Sequence, residues 1–427
     1  MQIRNLYRKG NRMKTKKRSS INVAVVGISG RGTSLLNVLL DMDDVNVIGV
    51  SDLYADRLEA AAARVAEVRG KRPEAEADYR KLLERDDLDA VVTPSSWTSH
   101  AQICVDAMNA GKYVGTEVGG ATSIEQCWDL VRTSERTGMP CMLLENCCYG
   151  RAEMLILNLI AKGMFGELVH AEGGYRHDLR GEVCGGIENR HYRLKNYLNR
   201  TGDVYPTHEL GPIAKYLKIN RGNRMVTLSS MATKSCGQEY YAATRRPDDG
   251  FLRGKDFALG DIVVTNIRCA HGEVITLFHD TSLPRPYSRG NLLQGTKGIW
   301  SEDKAGLYFD GVSPKAHTWE PVEKYYRRCE HPLWKKFQSE GVKGGHGGMD
   351  FLVLRGFVDA VKRGIQTPID VYDTAAWMAI TTLSEDSVNM GGHPVAIPDF
   401  TNGRWIDREP APETPYCLDR VCRAAYL

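Results

Sequence analysis

The stretch that most constrains the fold is residues 22–32, an apolar run followed by a glycine-rich turn. Val23–Val26 predicts a short buried strand, Gly27 a tight turn, and Thr33–Leu40 a helix. Strand, turn and helix in this order place free backbone N–H groups at a helix start, where a pyrophosphate binds. Ser29 occupies the position of the second glycine in the usual dinucleotide fingerprint. An ordinary βα turn of another α/β fold is therefore the alternative interpretation.

An acidic residue at the next strand end refines this prediction. The run Val45–Val50 predicts a second strand, and Asp52 follows it about 20 residues after the glycine turn. A carboxylate there accepts hydrogen bonds from both hydroxyls of an adenosine ribose and repels a 2′-phosphate. The cofactor predicted is therefore NAD, with Gly30 and Arg31 at its pyrophosphate and Asp52 at its ribose.

Composition narrows the class of protein. A chain of 427 residues is long enough for two domains, and a net charge of +3 gives no reason to expect a nucleic-acid partner. The exception is residues 1–20, a basic and apolar-poor segment that we interpret as a disordered tail rather than a phosphate-binding arm. With neither a signal-like apolar core nor a run long enough to span a membrane, we expect a cytoplasmic protein; an upstream start that adds an export signal is the alternative.

Cysteine usage agrees with a reducing compartment. The eleven cysteines are odd in number, and their spacings match neither a disulfide scaffold nor a zinc motif. We therefore expect free thiols and predict no metal ligands.

The periodicity changes near residue 150. From residue 21 to 150, strand and helix patterns alternate, which predicts a doubly wound parallel sheet. From 151 to 427 the strands alternate polar and apolar residues, and His271-Gly272 and Thr296-Lys297 read as hairpin turns. The fold class is therefore α/β, a Rossmann domain followed by an α+β domain with an open, mostly antiparallel sheet. Its C-terminal helices could pack back on the first domain, and its open apolar sheet face favours a homo-oligomer.

Segments that follow predicted strands are the expected cofactor contacts, because ligands of such sheets lie at the carboxyl ends of the strands. These candidates are Trp97, Thr98, Ser99 and His100 along the cofactor, and Glu117, Val118 and Asn146 nearer the nicotinamide. His100 as a helix cap, Trp97 as core, and Glu117 as the partner of an arginine are the structural alternatives.

Longer motifs carry a family resemblance. Thr93-Pro94, His100 and a strand ending in Glu117 are similar to the Gfo/Idh/MocA oxidoreductases, although the Glu-Lys-Pro typical of that family is here Glu117-Val118-Gly119. A narrower resemblance, to glycoside hydrolase family 109, covers the chain from about residue 22 to 405. It is carried by residues 144–154, 166–168, 172–179, 204–212, 284–290 and 345–350.

The resemblance implies an NAD-dependent α-N-acetylgalactosaminidase that retains anomeric configuration and restores its cofactor in each turnover. Such a cycle oxidises C3 of the sugar, removes the C2 proton, expels the C1 substituent, adds water and reverses the first steps. We expect His208 to be the base for the C3 hydroxyl. Tyr149 is the candidate base at C2, with a pKa lowered by Arg151 or the nicotinamide.

The remaining candidates bind the sugar. Tyr205, Tyr287 and Arg193 would hold hydroxyls or the acetamide, whereas His346 receives no role. Two other functions stay open: a sugar oxidoreductase with net turnover of NAD, and a non-catalytic NAD-linked sugar sensor.

Overall fold

Two β-sheets with helices around them make up the structure, a computed structural model that describes residues 18–119 and 121–422. Most of the predicted basic tail, residues 1–17, lies outside the described part. The first half runs β1 Ile21–Val26, α1 Gly30–Leu40, β2 Val45–Ser51, α2 Ala55–Arg69, β3 Glu74–Glu76, α3 Tyr79–Leu83, β4 Ala90–Thr93, α4 Trp97–Asn109, β5 Tyr113–Thr116, α5 Ile124–Thr137 and β6 Cys141–Leu143.

The first sheet is parallel throughout, with strand order β3-β2-β1-β4-β5-β6. Apolar runs with helices on both sides produce this arrangement, and every residue of β4 and β5 is buried. The order reverses between β1 and β4, so a crevice opens at the carboxyl ends of these strands. The predicted doubly wound sheet is confirmed.

The second half begins with a 3₁₀ turn, Asn146–Tyr149, and holds the other elements. They are α6 Arg151–Ala161, β7 Leu168–Arg176, α7 Arg180–Cys184, α8 Arg193–Asn199, α9 Thr207–Tyr216, β8 Met225–Ala232, α10 Gly237–Arg245, β9 Ile262–Cys269, β10 Val274–Asp280, β11 Leu292–Gly295, β12 Gly298–Ser301, β13 Gly306–Phe309, β14 Glu320–Pro321, α11 Glu323–Cys329, α12 Pro332–Ser339, α13 Met349–Arg363, α14 Val371–Asn389 and β15 Val395–Ala396. Two more 3₁₀ turns are His346–Gly348 and Arg404–Ile406.

The second sheet is mixed and mostly antiparallel, in the order β14-β13-β12-β11-β7-β10-β9-β8-β15. Within this second sheet, β7 and β10 are the one pair of described strands that run parallel. Both predicted hairpins are present, β9–β10 and β11–β12. The sequence of residues 176–206, rich in Arg, Asn, His and Tyr, predicts a long irregular segment of the kind that is usually functional. In the structure this segment instead contains the two short helices α7 and α8.

Helices α13 and α14 bring the two sheets together. Helix α14 lies against α5 and β6, and α13 lies against α1 and β1. The hydroxyl of Thr374 on α14 accepts a hydrogen bond from the Leu143 amide at the end of β6, at 3.0 Å. Among the described residues, no helix has the length and apolar composition needed to span a bilayer.

Candidate active site

A cleft of about 520 Å³ opens where β1, β2 and β4 end. Its size falls in the range usual for small-molecule and cofactor sites. One wall comes from the first sheet and its loops, and includes Gly27, Ser29, Asp52, Ser95 and Ser99. The opposite wall is residues 186–195, which we call the clasp. The cleft therefore lies between the two halves of the chain.

Glycines shape the loop that enters α1. Gly27 has a φ of +100°, and a Cβ there would lie 2.5 Å from the Cα of Ser95, so the two strand-end loops pack backbone to backbone. At Gly30, the first residue of α1, no neighbouring atom lies within 4 Å of where a Cβ would stand. The start of α1 is thus open, and its free N–H groups suit a phosphate.

Asp52 lines this cleft and also supports the loop. Its carboxylate accepts hydrogen bonds from the backbone amides of Ile28, at 2.6 Å, and Tyr54, at 2.9 Å. Each oxygen therefore keeps a lone pair that a ribose hydroxyl could use.

The clasp is held over the cleft by side chains of α2. Arg190 forms a two-pronged ion pair with Asp56, at 2.9 and 2.7 Å, and its guanidinium lies 4.3 Å from the ring centre of Tyr54. Arg57 donates to the carbonyl of Asn189 at 2.9 Å. Arg190 adopts a φ of +51°, an unusual conformation for a residue other than glycine. These contacts close the outer side of the cleft.

Residues 97–100, all predicted to contact the cofactor, lie in different environments. Ser99 lines the cleft, and Thr98 is exposed. Trp97 is buried behind the cleft wall and contacts the ring of Tyr192 in the clasp, with centroids 4.7 Å apart. His100 is also buried, and burial lowers its pKa and favours the neutral ring. Because a carbonyl oxygen can only accept, the Nε2 of His100 donates to the carbonyl of Ser95, at 2.9 Å.

Arg31 does not extend into the cleft but joins two carboxylates. Its guanidinium donates to Glu117 Oε1 at 2.9 and 2.7 Å and to both oxygens of Asp350, at 2.7 and 2.9 Å. Asn146 donates to Asp350 at 2.7 Å, and His346 Nδ1 lies 2.8 Å from the same carboxylate. Glu117 is therefore the partner of an arginine, which is the structural alternative to its role in binding the cofactor.

This network holds the charged carboxylate of Asp350 near the end of the cleft where the nicotinamide is predicted to bind. Hydrogen bonds from His346 and Arg31 outweigh burial and lower the pKa of Asp350, which stays ionised. Glu117 also accepts from the amide of Val118, at 3.1 Å. The network connects the ends of β5 and β6 to α1 and α13.

His208 and Glu145 form a second charged pair. His208 lies in the first turn of α9, and its Nδ1 is 2.7 Å from Oε1 of Glu145, which follows β6. Burial works against ionisation of Glu145, but the His208 charge and hydrogen bond lower the pKa of this carboxyl overall. An ionised Glu145 holds the imidazole proton on Nδ1 and leaves Nε2 as the acceptor. The Tyr205 hydroxyl lies 3.4 Å from Nε2.

Aromatic rings surround a buried arginine beside this pair. The Arg193 guanidinium lies 4.9 Å from the ring centre of Tyr205, 5.1 Å from Trp97 and 5.8 Å from Tyr175. Its Nη1 has no hydrogen-bond partner within the described residues. Tyr287, half exposed, stands at the rim, 6.5 Å from the Tyr175 ring. The structure therefore brings His208, Tyr205, Arg193 and Tyr287 together.

Tyr149 lies elsewhere, and its assignment needs correction. The side chain is fully buried, and its hydroxyl donates to the carbonyl of Tyr416 in the C-terminal segment, at 2.8 Å. Arg151 binds Glu330 and lies 4.1 Å from the ring centre of Tyr326, so it does not act on the Tyr149 phenol as expected.

Tyr175 is the tyrosine that sequence reasoning missed. Its ring lies 4.5 Å from Tyr205 and 5.6 Å from His208, and its hydroxyl is 3.2 Å from Nδ1 of His177. Tyr175 comes near the end of β7, so the same strand-end argument that selected Glu117 could have selected it. Glu145, two residues after the end of β6, carries the same signal.

The fold and the cleft define a protein with a dinucleotide-binding Rossmann domain and a second domain built on a mixed, mostly antiparallel sheet. Residues 21–144 match the family described as "Oxidoreductase family, NAD-binding Rossmann fold", and residues 149–407 match "Glycosyl hydrolase 109, C-terminal domain". The chain belongs to glycosyl hydrolase family 109, which confirms the resemblance and makes the protein an enzyme of the glycosidase class.

Relatives and solved structures agree. An α-N-acetylgalactosaminidase of Tannerella forsythia is 38% identical over 409 residues, covering 90% of this chain and 87% of the relative. A second α-N-acetylgalactosaminidase, from Shewanella oneidensis, is 36% identical over 404 residues, covering 91% of this chain and 87% of the relative. A levoglucosan dehydrogenase solved with NADH covers 89% of this chain and 100% of its own, with a TM-score of 0.66 and 17% identity. The structure of an NAD-binding oxidoreductase from Klebsiella pneumoniae covers 89% of this chain and 100% of its own, with a TM-score of 0.69 and 15% identity. At such low identity, these two structures show the fold alone.

Proposed function

We propose that the enzyme removes terminal α-N-acetylgalactosamine, with retention, using a bound NAD that is restored in every turnover. The observation that carries the proposal is the His208–Glu145 pair, which presents an imidazole Nε2 beside the aromatic cluster and next to the cofactor cleft. Hydrolysis through NAD needs a base at this position rather than the two carboxylates of most glycosidases.

NAD rather than NADP is supported by Asp52 in the cleft, since a second negative charge would be repelled there. The open start of α1 at Gly30 would receive the pyrophosphate. The clasp supports a cofactor that stays bound between turnovers. When bound, NAD supplies the acceptor for the C3 hydride and returns that hydride at the end of the cycle.

His208 is assigned as the base for the C3 hydroxyl. Glu145 keeps the ring proton on Nδ1, so the lone pair of Nε2 can take the proton of the sugar hydroxyl. The logic is that of other histidine–carboxylate pairs, in which the buried carboxylate orients the ring and stabilises its charged form.

Tyr175 replaces Tyr149 as the candidate that takes the C2 proton. Burial raises the pKa of its phenol, although the Arg193 charge acts in the opposite direction. His177 Nδ1, 3.2 Å from the Tyr175 hydroxyl, can accept a hydrogen bond from the phenol and so orient it. Burial also lowers the pKa of His177, which keeps this acceptor neutral near pH 7.

Two measurements test the proposal. Purified enzyme is incubated with nitrophenyl α-N-acetylgalactosaminide and no added cofactor, and nitrophenol should form over many turnovers without lasting NADH absorbance. Hydrolysis in heavy water should place deuterium at C2 of the released sugar. Stoichiometric NADH accumulation would instead identify a net oxidoreductase. Ligand-induced stabilisation without any turnover would identify a sensor.

A further inference from the structure

Three side chains of different chemistry come close together beside the aromatic cluster around Arg193. The ligand atoms of Glu145, Cys147 and His208 all lie within 4.8 Å of one another. Glu145 and Cys147 are buried, whereas the His208 side chain is 14% exposed and gives the cluster an opening. Carboxylate, thiol and imidazole are the three ligand types that Zn²⁺ combines in proteins.

An unused oxygen points to a ligand. Oε1 of Glu145 accepts from His208 Nδ1 and from the amide of Cys147, at 2.7 and 3.1 Å. Oε2 makes no hydrogen bond of regular geometry in the part of the chain that the structure describes, although the residue is fully buried and the nearby Thr207 hydroxyl helps to lower the pKa of its carboxyl. Leaving a carboxylate oxygen unpaired is costly, and a cation would remove that cost.

We propose that Glu145, Cys147 and His208 form a binding site for a soft or borderline divalent cation such as Zn²⁺, and that its occupancy inhibits the enzyme. Three protein ligands leave a fourth position for water or a substrate oxygen, as at other open zinc sites. Tetrahedral Zn²⁺ holds such ligands at about 2.0–2.3 Å, so small side-chain shifts would close the site.

The Arg289 guanidinium lies 3.6 Å from the sulfur but is already paired with the buried carboxylate of Glu153. Its charge is therefore largely neutralised before a cation arrives. Together with Glu145, the thiolate then supplies two negative charges to a divalent ion.

Inhibition follows from where the protons go. On binding, the Cys147 thiol releases its proton to solvent and the sulfur becomes a thiolate ligand. The metal takes Nδ1 of His208, so the imidazole proton moves to Nε2. That atom then carries a hydrogen and can no longer accept the proton of the C3 hydroxyl. The inhibition thus rests on the proposed role of His208, whereas metal binding itself does not.

Cobalt provides the test, because a thiolate-to-Co²⁺ charge-transfer band reports the sulfur ligand directly. Titration of the NAD-loaded enzyme with Co²⁺ should give this band at one equivalent per chain. Cys147→Ala should abolish it, and Cys147→Ser provides a second variant should the first fold poorly. Cys148→Ala is the matched control, since Cys148 is buried next in sequence but packs toward Gly211, outside the three-ligand cluster.

Activity measurements complete the test. Zn²⁺ should inhibit hydrolysis reversibly, and Cys147→Ala should raise the inhibitory concentration at least about tenfold. An absent band, or a band and inhibition unchanged in Cys147→Ala, would overturn the site. A Cys147-dependent band without inhibition would keep the site but overturn the assignment of His208, which separates the two proposals.

Discussion

Glu145→Gln isolates the effect of the carboxylate on the proposed base. The substitution keeps the size of the side chain and its acceptor for the Cys147 amide, but removes the charge 2.7 Å from His208 Nδ1. A hydrogen bond to a charged group contributes about 1.5–3 kcal/mol, which corresponds to a loss of about 10- to 150-fold. If the Gln amide also donates to Nδ1, the ring proton moves to Nε2, and the loss approaches about 10⁴-fold.

We therefore expect kcat/KM for nitrophenyl α-N-acetylgalactosaminide to fall between about 10- and 10⁴-fold, with NAD still bound. The matched control is Glu209→Gln, which changes the neighbouring residue of α9. Glu209 is equally buried and makes no side-chain hydrogen bond within the described residues, and burial raises the pKa of its carboxyl. This control should keep its activity.

Retained bound nucleotide and an unchanged melting temperature would show that a loss in Glu145→Gln is chemical. Activity of Glu145→Gln within threefold of the wild type, with the control equally active, would refute the orienting role of Glu145. Deuterium incorporation at C2 adds a second readout, because a blocked C3 oxidation should suppress exchange as well as hydrolysis.

Five further substitutions test other parts of the structure. Asp52→Ala should weaken NAD by about 1–3 kcal/mol in calorimetric titration, and unchanged affinity would contradict the ribose assignment. Arg190→Ala opens the clasp and should speed NAD release in a stopped-flow chase while leaving C2 exchange of NAD-saturated enzyme unchanged. Tyr149→Phe should keep its turnover and lose only stability in a thermal melt, whereas Tyr175→Phe should lose turnover; the reverse order would restore the original assignment. Burial raises the pKa of Asp203 from 3.8 to about 7, so the folded state favours the protonated acid. Wild-type stability relative to Asp203→Asn should therefore fall as the pH rises from about 4 to about 7, by at most about 1.4 kcal/mol per pH unit in denaturant titrations, and a pH-independent difference would contradict this.

Local signals predicted the first half of the chain well. A glycine turn between an apolar run and a helix depends on neighbours in sequence, and so does the placement of Asp52 after β2. The hairpin turns at His271-Gly272 and Thr296-Lys297 are local in the same way, because a few backbone angles decide them. Such features can be read without knowing what packs against them.

The segment between β7 and α9 shows where local reasoning ends. Its length and its polar residues indicated a functional region, and it does supply Arg193 and the clasp. Its short helices carried too few residues for a clear period, so they were missed. The ion pair between Arg190 and Asp56, which closes the cleft, joins residues 134 positions apart.

The positions of the Tyr149 and Tyr175 side chains are decided only by tertiary structure. Both are tyrosines near the start of the second half, and both are buried. Packing of the C-terminal segment directs the Tyr149 hydroxyl to the Tyr416 carbonyl, whereas β7 delivers Tyr175 to His208 and Tyr205. Likewise Glu145 reaches His208 across 63 residues. Periodicity and turn chemistry determine which elements form, but the direction of a buried side chain depends on whatever fills the space around it, and that is decided by the whole chain.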